Sequence, residues 1–162
     1  MDLNPYINFA RDQLHVTFKD IQLLVTAFTH RSYLNEHRKS ASEHNERLEF
    51  LGDAVLELVV TEYLYLNHGE PEGILTNWRS SLVRTESIGA AAERCGFADL
   101  LRLSRGEKQG SERARAQIMA NSFEAVIGAL YLDQGWEAAK TFITENILST
   151  FEEILATGSW MD

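Results

Sequence analysis

Apolar residues recur at three- and four-residue spacings along most of the chain, and the strict alternation of strands is scarce, so the pattern predicts an all-α fold. Only Pro5 and Pro71 interrupt it, and the turn-rich punctuation of many short strands is missing. A first helix is expected from Asn4 or Pro5 to about His15. Asp20 stands where it would cap a second, Ile21 to Thr29, with Leu23, Leu24 and Phe28 on its apolar side. Residues Arg31 to Glu43 lack periodicity and read as a loop. The longest periodic segment runs from about His44 to Leu66 and is ended by Asn67, His68, Gly69 and Pro71. Helices from Leu75 to about Thr85 and from Glu86 to Cys95 follow, the second closed by Gly96. Ser104 to Arg115 carries glycines and several charges and reads as a surface loop. A strongly apolar helix then spans Ala116 to Asp133, and a last one Trp136 to Leu155.

Composition narrows the class. A chain of 162 residues with 44% hydrophobic content suits one globular domain, not a disordered segment. The lone Cys95 builds neither a disulfide framework nor a zinc cage. No apolar run reaches the roughly 20 residues that cross a bilayer, and Met1 to Arg11 has no basic flank followed by an apolar core, so a cytoplasmic location without membrane contact is expected. With 15 Lys+Arg against 24 Asp+Glu the net charge is −9, which by itself argues against a nucleic-acid partner.

The distribution of the acids changes that picture. On a helical wheel of about 100° per residue with Glu46 at zero, Glu49 falls near −60° and Asp53 near −20°. Leu48, Leu51, Val55, Leu58 and Val59 fill the arc of about 120–220° and are expected to face the core. An acidic solvated face would look the same, but like charges three and four apart repel, and Phe50 lies beside the acids instead of with the apolar stripe. On the second apolar helix, Asn121 and Glu124 share a face with Gly128, opposite Met119, Phe123, Val126, Ile127 and Leu130. Gly128 would let another backbone approach closely. If the two helices pack there, Glu49, Asp53, Asn121 and Glu124 converge as an oxygen-rich cluster suited to a hard cation such as Mg²⁺. E-x-x-H, H-E-x-x-H and G-x-S-x-G are absent, and no glycine-rich nucleotide loop occurs, so no nucleotide cofactor is expected.

The run HNERLEFLGDAVL at residues 44–56 resembles the signature helix of the ribonuclease III family. AFTHRSY at 27–33, SLVR at 81–84 and MANSFEAVIGALYLD at 119–133 resemble its other blocks, so the resemblance extends over the whole chain. It implies an all-helical, homodimeric endonuclease domain that cuts double-stranded RNA with Mg²⁺, leaving 5′-phosphate and 3′-hydroxyl ends with short 3′ overhangs. Bacterial members imply targets among ribosomal RNA precursors and structured messages. Carried onto this sequence, the resemblance makes Glu49, Asp53 and Glu124 metal-binding or metal-orienting acids, with Asn121 in the fourth position. Glu46 and Glu72 match acids of the active-site region near the dimer interface, and Phe50 matches an aromatic that enters a socket on the partner. An aspartate is usual where this chain has Asn121, so one negative charge is lost and weaker metal binding is expected, with Mn²⁺ as a substitute ion.

Duplex RNA needs positive charge to meet its phosphates, and Arg102, Arg105, Lys108, Arg113 and Arg115 crowd the segment before the second acidic helix; an ordinary solvated loop is the alternative, since Glu107 and Glu112 are interspersed. Residues 1–156 read as the nuclease domain and 157–162 as the start of a linker, beyond which bacterial members carry a double-stranded-RNA-binding domain. Two other readings stand beside an active endonuclease: a catalytically weakened or inactive relative that binds structured RNA, and an acidic helical interaction module.

Overall fold

A computed structural model describes residues 1–37 and 43–161. Among these residues the chain forms α1 (Asn4–Phe9), α2 (Ile21–Ala27), α3 (Arg31–Glu36), α4 (Glu46–Asn67), α5 (Glu72–Val83), α6 (Thr85–Arg94), α7 (Arg105–Lys108), α8 (Glu112–Gln134), α9 (Trp136–Asn146) and α10 (Phe151–Thr157), with no strand. The expected all-α class holds. Helix α8 is the axis: from Ile118 to Leu130 it buries residues on nearly every side, and α4, α6, α9 and α2 pack around it. A helix apolar around most of its circumference belongs inside a core. Phe9, Phe28, Phe97, Phe123 and Phe142 form a continuous line of ring contacts, with neighbouring centroids 4.8–5.7 Å apart.

The start of α4 is pinned from two directions. Asn45 is buried, and its Nδ2 donates to the Ala27 carbonyl at 3.0 Å and reaches Ser122 Oγ at 3.4 Å. Its backbone N–H donates to Thr29 O at 2.9 Å, while its own carbonyl accepts from Glu49 N–H. One side chain therefore ties α4 to α2 and α8 at the turn that presents Glu46 and Glu49. Asn45→Ala leaves buried polar groups unpaired and is expected to cost roughly 2 kcal/mol, lowering the thermal midpoint by about 4–8 °C. Calorimetry at neutral pH measures this; an unchanged midpoint would remove Asn45 from the framework.

Several boundaries differ from the periodicity-based expectation. Within Arg31 to Glu43, residues 31–36 form α3, whose N-terminus is capped by the His30 ring accepting from Ser32 N–H at 3.1 Å. Residues 38–42 of that expected loop lie outside the described residues. The expected loop Ser104 to Arg115 contains α7, capped by Ser104, and the first turn of α8, capped by Ser111 accepting from Ala114 N–H at 3.1 Å. The expected last helix is broken at Ile147–Thr150, where the Asn146, Ser149 and Thr150 side chains bond to carbonyls of the preceding turn and compete with helix propagation. Gly96 closes α6 as expected, in the left-handed region at φ 78°.

The core side of α4 also differs. Leu48, Val55 and Val59 are buried, but Leu58 is 55% exposed, and the buried set is completed by Gly52, Leu56, Val60 and Leu64. Leu56 and Val60 lie within about 80° of the acids on the wheel. The acids therefore do not stand opposite the core. They occupy the N-terminal half of an arc that turns inward further along the helix.

Candidate active site

Two glycines bring the acid-bearing helices together. A Cβ on Gly52 would lie 1.6 Å from the Glu124 carbonyl oxygen, and one on Gly128 would lie 2.3 Å from the Leu48 carbonyl oxygen. Any side chain at either point would collide with backbone, so α4 and α8 cross at a distance only glycine permits. The close approach expected of Gly128 is present. Gly52, its counterpart, was not singled out by the sequence, although it lies one turn after Leu48 in the signature run.

At this crossing Glu49, Asp53 and Glu124 feel one another strongly. Burial, above all, raises the Glu124 carboxyl to a pKa of about 9; a hydrogen bond with Asp53 and the charges of Asp53, Glu49 and Glu57 add to the rise. Burial likewise raises Glu49, followed by the charges of Glu46 and Asp53. The half-buried Glu49 and Glu124 are thus both shifted toward the protonated form, with the exposed Asp53 beside them. Among the described residues no three His, Cys, Asp or Glu side chains converge tightly enough to enclose an ion. Mg²⁺ keeps much of its water and needs only one or two protein carboxylates, so the fit rests on the donor chemistry and not on an enclosed cage. Carboxylate oxygens that otherwise repel or share a proton are the donor set a hard divalent cation would bind.

Asn121 stands beside them on α8, half-buried, its Oδ1 accepting from Gln117 Nε2 at 2.9 Å. Glu46 begins α4 at the rim; its carboxylate is 3.5 Å from Arg31 Nη1 and 4.0 Å from His44 Nδ1. Neither Gln117 nor Arg31 was among the expected site residues. Gln117 was legible as the position one helical turn before Asn121, whereas Arg31 reaches the rim from α3, a segment that the periodicity reads as a loop.

A family model described as Ribonuclease-III-like matches residues 20–151, a span that contains both acid-bearing helices. The chain belongs to the ribonuclease III family. Curated relatives named Ribonuclease 3 from Streptococcus gordonii and Enterococcus faecalis are 47% and 49% identical over 146 and 145 residues. The matches cover 90% and 89% of this chain, which spans 63% of the length of each relative. A solved nuclease domain of ribonuclease III from Campylobacter jejuni superposes with a TM-score of 0.76 at 37% identity, covering 88% of this chain and 99% of that one. A Giardia Dicer structure shares the fold, at 24% identity and a TM-score of 0.65, over 88% of this chain and 19% of that one.

The other residues expected at the site from the sequence are spread more widely. Glu72 opens α5 and lines a groove of 550 Å³ with Tyr65, His68, Glu70 and Arg79 at the far end of α4. Thr61, which also lines this groove, is eight positions and about 12 Å along α4 from Asp53, so Glu72 does not join the acid cluster within one chain. Phe50 is 84% exposed. Arg102 is engaged internally: its guanidinium lies 4.3 Å from the Tyr33 ring centroid and donates to Thr29 Oγ1 at 3.2 Å. Arg105, Lys108, Arg113 and Arg115 are exposed on α7 and the first turn of α8. No helix among the described residues is long and apolar enough to cross a membrane.

Proposed function

We propose that this chain is a Mg²⁺-dependent endonuclease domain that cuts double-stranded RNA in the cytoplasm, leaving 5′-phosphate and 3′-hydroxyl ends with short 3′ overhangs, in the processing of ribosomal and messenger RNA. The observation that carries this reading is the glycine-mediated crossing of α4 and α8, which brings the half-buried Glu49 and Glu124 and the exposed Asp53 to one patch. Those three residues would hold the cation, Mg²⁺ or Mn²⁺ as a substitute, with Asn121 beside them on α8. A divalent ion bound there supplies an activated water and positive charge for the scissile phosphate. Glu124, held in its protonated form by burial and by the neighbouring Asp53, would bind a divalent ion as the carboxylate. Arg105, Lys108, Arg113 and Arg115 meet the phosphate backbone, a contact read by shape more than by sequence.

The working form is a homodimer. Phe50, Leu58, Tyr65 and Leu132 are large apolar side chains left exposed, and a groove of 790 Å³ bordered by Phe50, Leu51, Leu23 and Leu132 adjoins them. An apolar surface of this kind calls for a partner. A second copy on this face would also offer a route for Glu72 to reach a neighbouring acid cluster. Phe50→Asp is expected to remove about 2 kcal/mol or more per protomer from such an interface and to convert the dimer to monomer. Light scattering coupled to size exclusion reads the mass, and a variant that stays dimeric would contradict the role.

The reading is tested by incubating the protein with end-labelled duplex RNA and Mg²⁺, then Mn²⁺. Short duplex products with 5′-phosphates are expected. Binding without cleavage under both ions would favour a catalytically inactive RNA-binding relative, for which the amide at Asn121 is the supporting observation.

A further inference from the structure

At position 121 the chain carries a primary amide, whose two ends do opposite things: the oxygen accepts, whereas the nitrogen donates. Gln117 and Asn121 are one turn apart on α8, and Gln117 Nε2 donates to Asn121 Oδ1 at 2.9 Å. The oxygen is thereby drawn toward the N-terminal end of the helix. The amide NH₂ remains as a donor. Gln117, Asn121 and Glu124 lie within an arc of about 60° on the helix, so the oriented amide borders the acid patch. An aspartate here would offer only acceptors to an incoming cation. Asn121, with one lone pair of its oxygen engaged by Gln117, offers a donor as well.

We infer that Gln117 is a positioning residue: it holds Asn121 so that the amide donates a hydrogen bond to a phosphate oxygen of the duplex and does not ligate the cation. The inference rests on the reading of this site as RNA-cleaving. It also accounts for how the patch does without a fourth carboxylate, since phosphate would be held there by a neutral donor.

The test compares the parent, Gln117→Ala, Asn121→Asp and the double variant in three measurements: Mn²⁺ affinity without RNA by calorimetry, duplex RNA affinity in EDTA, and steady-state cleavage. Gln117 is exposed, so its variant is expected to melt with the parent. Gln117→Ala should change Mn²⁺ affinity by less than about threefold and weaken duplex binding by about fivefold, the worth of roughly one hydrogen bond, with the loss in KM more than in kcat. In the Asn121→Asp background the same change should move duplex affinity by less than about twofold, because no amide remains to orient. A threefold or larger change in Mn²⁺ affinity on Gln117→Ala would mean that the Asn121 oxygen is a ligand, and would overturn the inference. Duplex affinity within twofold of the parent, or an equal loss in the Asn121→Asp background, would overturn it as well. A parent that neither binds nor cuts duplex RNA would instead sink the functional reading itself, and this inference with it.

Discussion

Glu124→Gln is expected to reduce duplex cleavage by at least about 10³-fold, roughly 4 kcal/mol of transition-state stabilisation, while making the metal-free protein more stable. The two effects have one cause. Burial, then the hydrogen bond with Asp53 and the surrounding charges, raises the Glu124 carboxyl from 4.5 to about 9. Between those values the folded chain retains a proton that the unfolded chain has released, so folding takes up a proton and stability falls as pH rises through the window. Glutamine is neutral throughout and escapes this loss. The variant should therefore match the parent near pH 4 and exceed it increasingly toward pH 9. Near neutral pH the gain is on the order of 1–2 kcal/mol after solvent screening, or about 2–6 °C in thermal midpoint. Saturating Mg²⁺ should stabilise the parent and not the variant, since only the parent offers the carboxylate. Thermal melts from pH 4.5 to 9 in EDTA and in Mg²⁺, run beside a cleavage assay, check both halves. A variant that cuts at the parent rate removes Glu124 from the site; one that melts below the parent in EDTA removes the buried, repelled carboxyl.

The part of this site that was legible in the sequence is the part written in helical period. Glu46, Glu49 and Asp53 align at spacings of three and four, and Asn121, Glu124 and Gly128 share one face, so each helix shows its acids on one side, and their convergence is expected only if the two helices pack together. What those angles do not contain is which arc of α4 meets α8. Leu58 fits the apolar arc as well as Val55 does, yet α4 touches neighbours along more than one face, and Leu56 and Val60 take the buried positions. Leu58 is left outside with Phe50 and Tyr65 as an apolar strip that a second chain would cover. Short elements escaped for a different reason: six residues of α3 make fewer than two turns, too few to display a period, and its cap is a histidine ring instead of a serine or aspartate. The break at Ile147–Thr150 depends on side chains bonding back to carbonyls, a competition invisible to hydropathy.

Gly52→Ala is expected to cut cleavage by about 10²-fold without altering any charge. The added Cβ would sit 1.6 Å from Glu124 O, 2.6 Å from Glu124 C and 2.9 Å from Gly128 N, all backbone atoms within a helix, so no side chain can swing aside to make room. Only a separation of α4 from α8 by about 1 Å or more relieves the collision. That movement carries Glu49 and Asp53 away from Glu124, and a displacement of this size at a reacting centre costs on the order of 10²-fold in rate. It also opens the best-packed seam of the core, where overpacking costs about 1–3 kcal/mol and rigid backbone on both sides argues for the upper end. A fall in thermal midpoint of about 6–12 °C should accompany the loss of activity. Gly128→Ala, with 2.3 Å to Leu48 O, should act in the same direction. Gly73→Ala is the control, because nothing lies within 4 Å of its added Cβ, and replacing an unconstrained helical glycine should be neutral or stabilising by up to about 1 kcal/mol. Kinetics and melts on the three variants decide the matter: a Gly52→Ala protein with the parent's rate and midpoint would mean that α4 and α8 do not cross at this distance. The glycines would then not be what assembles the acid patch.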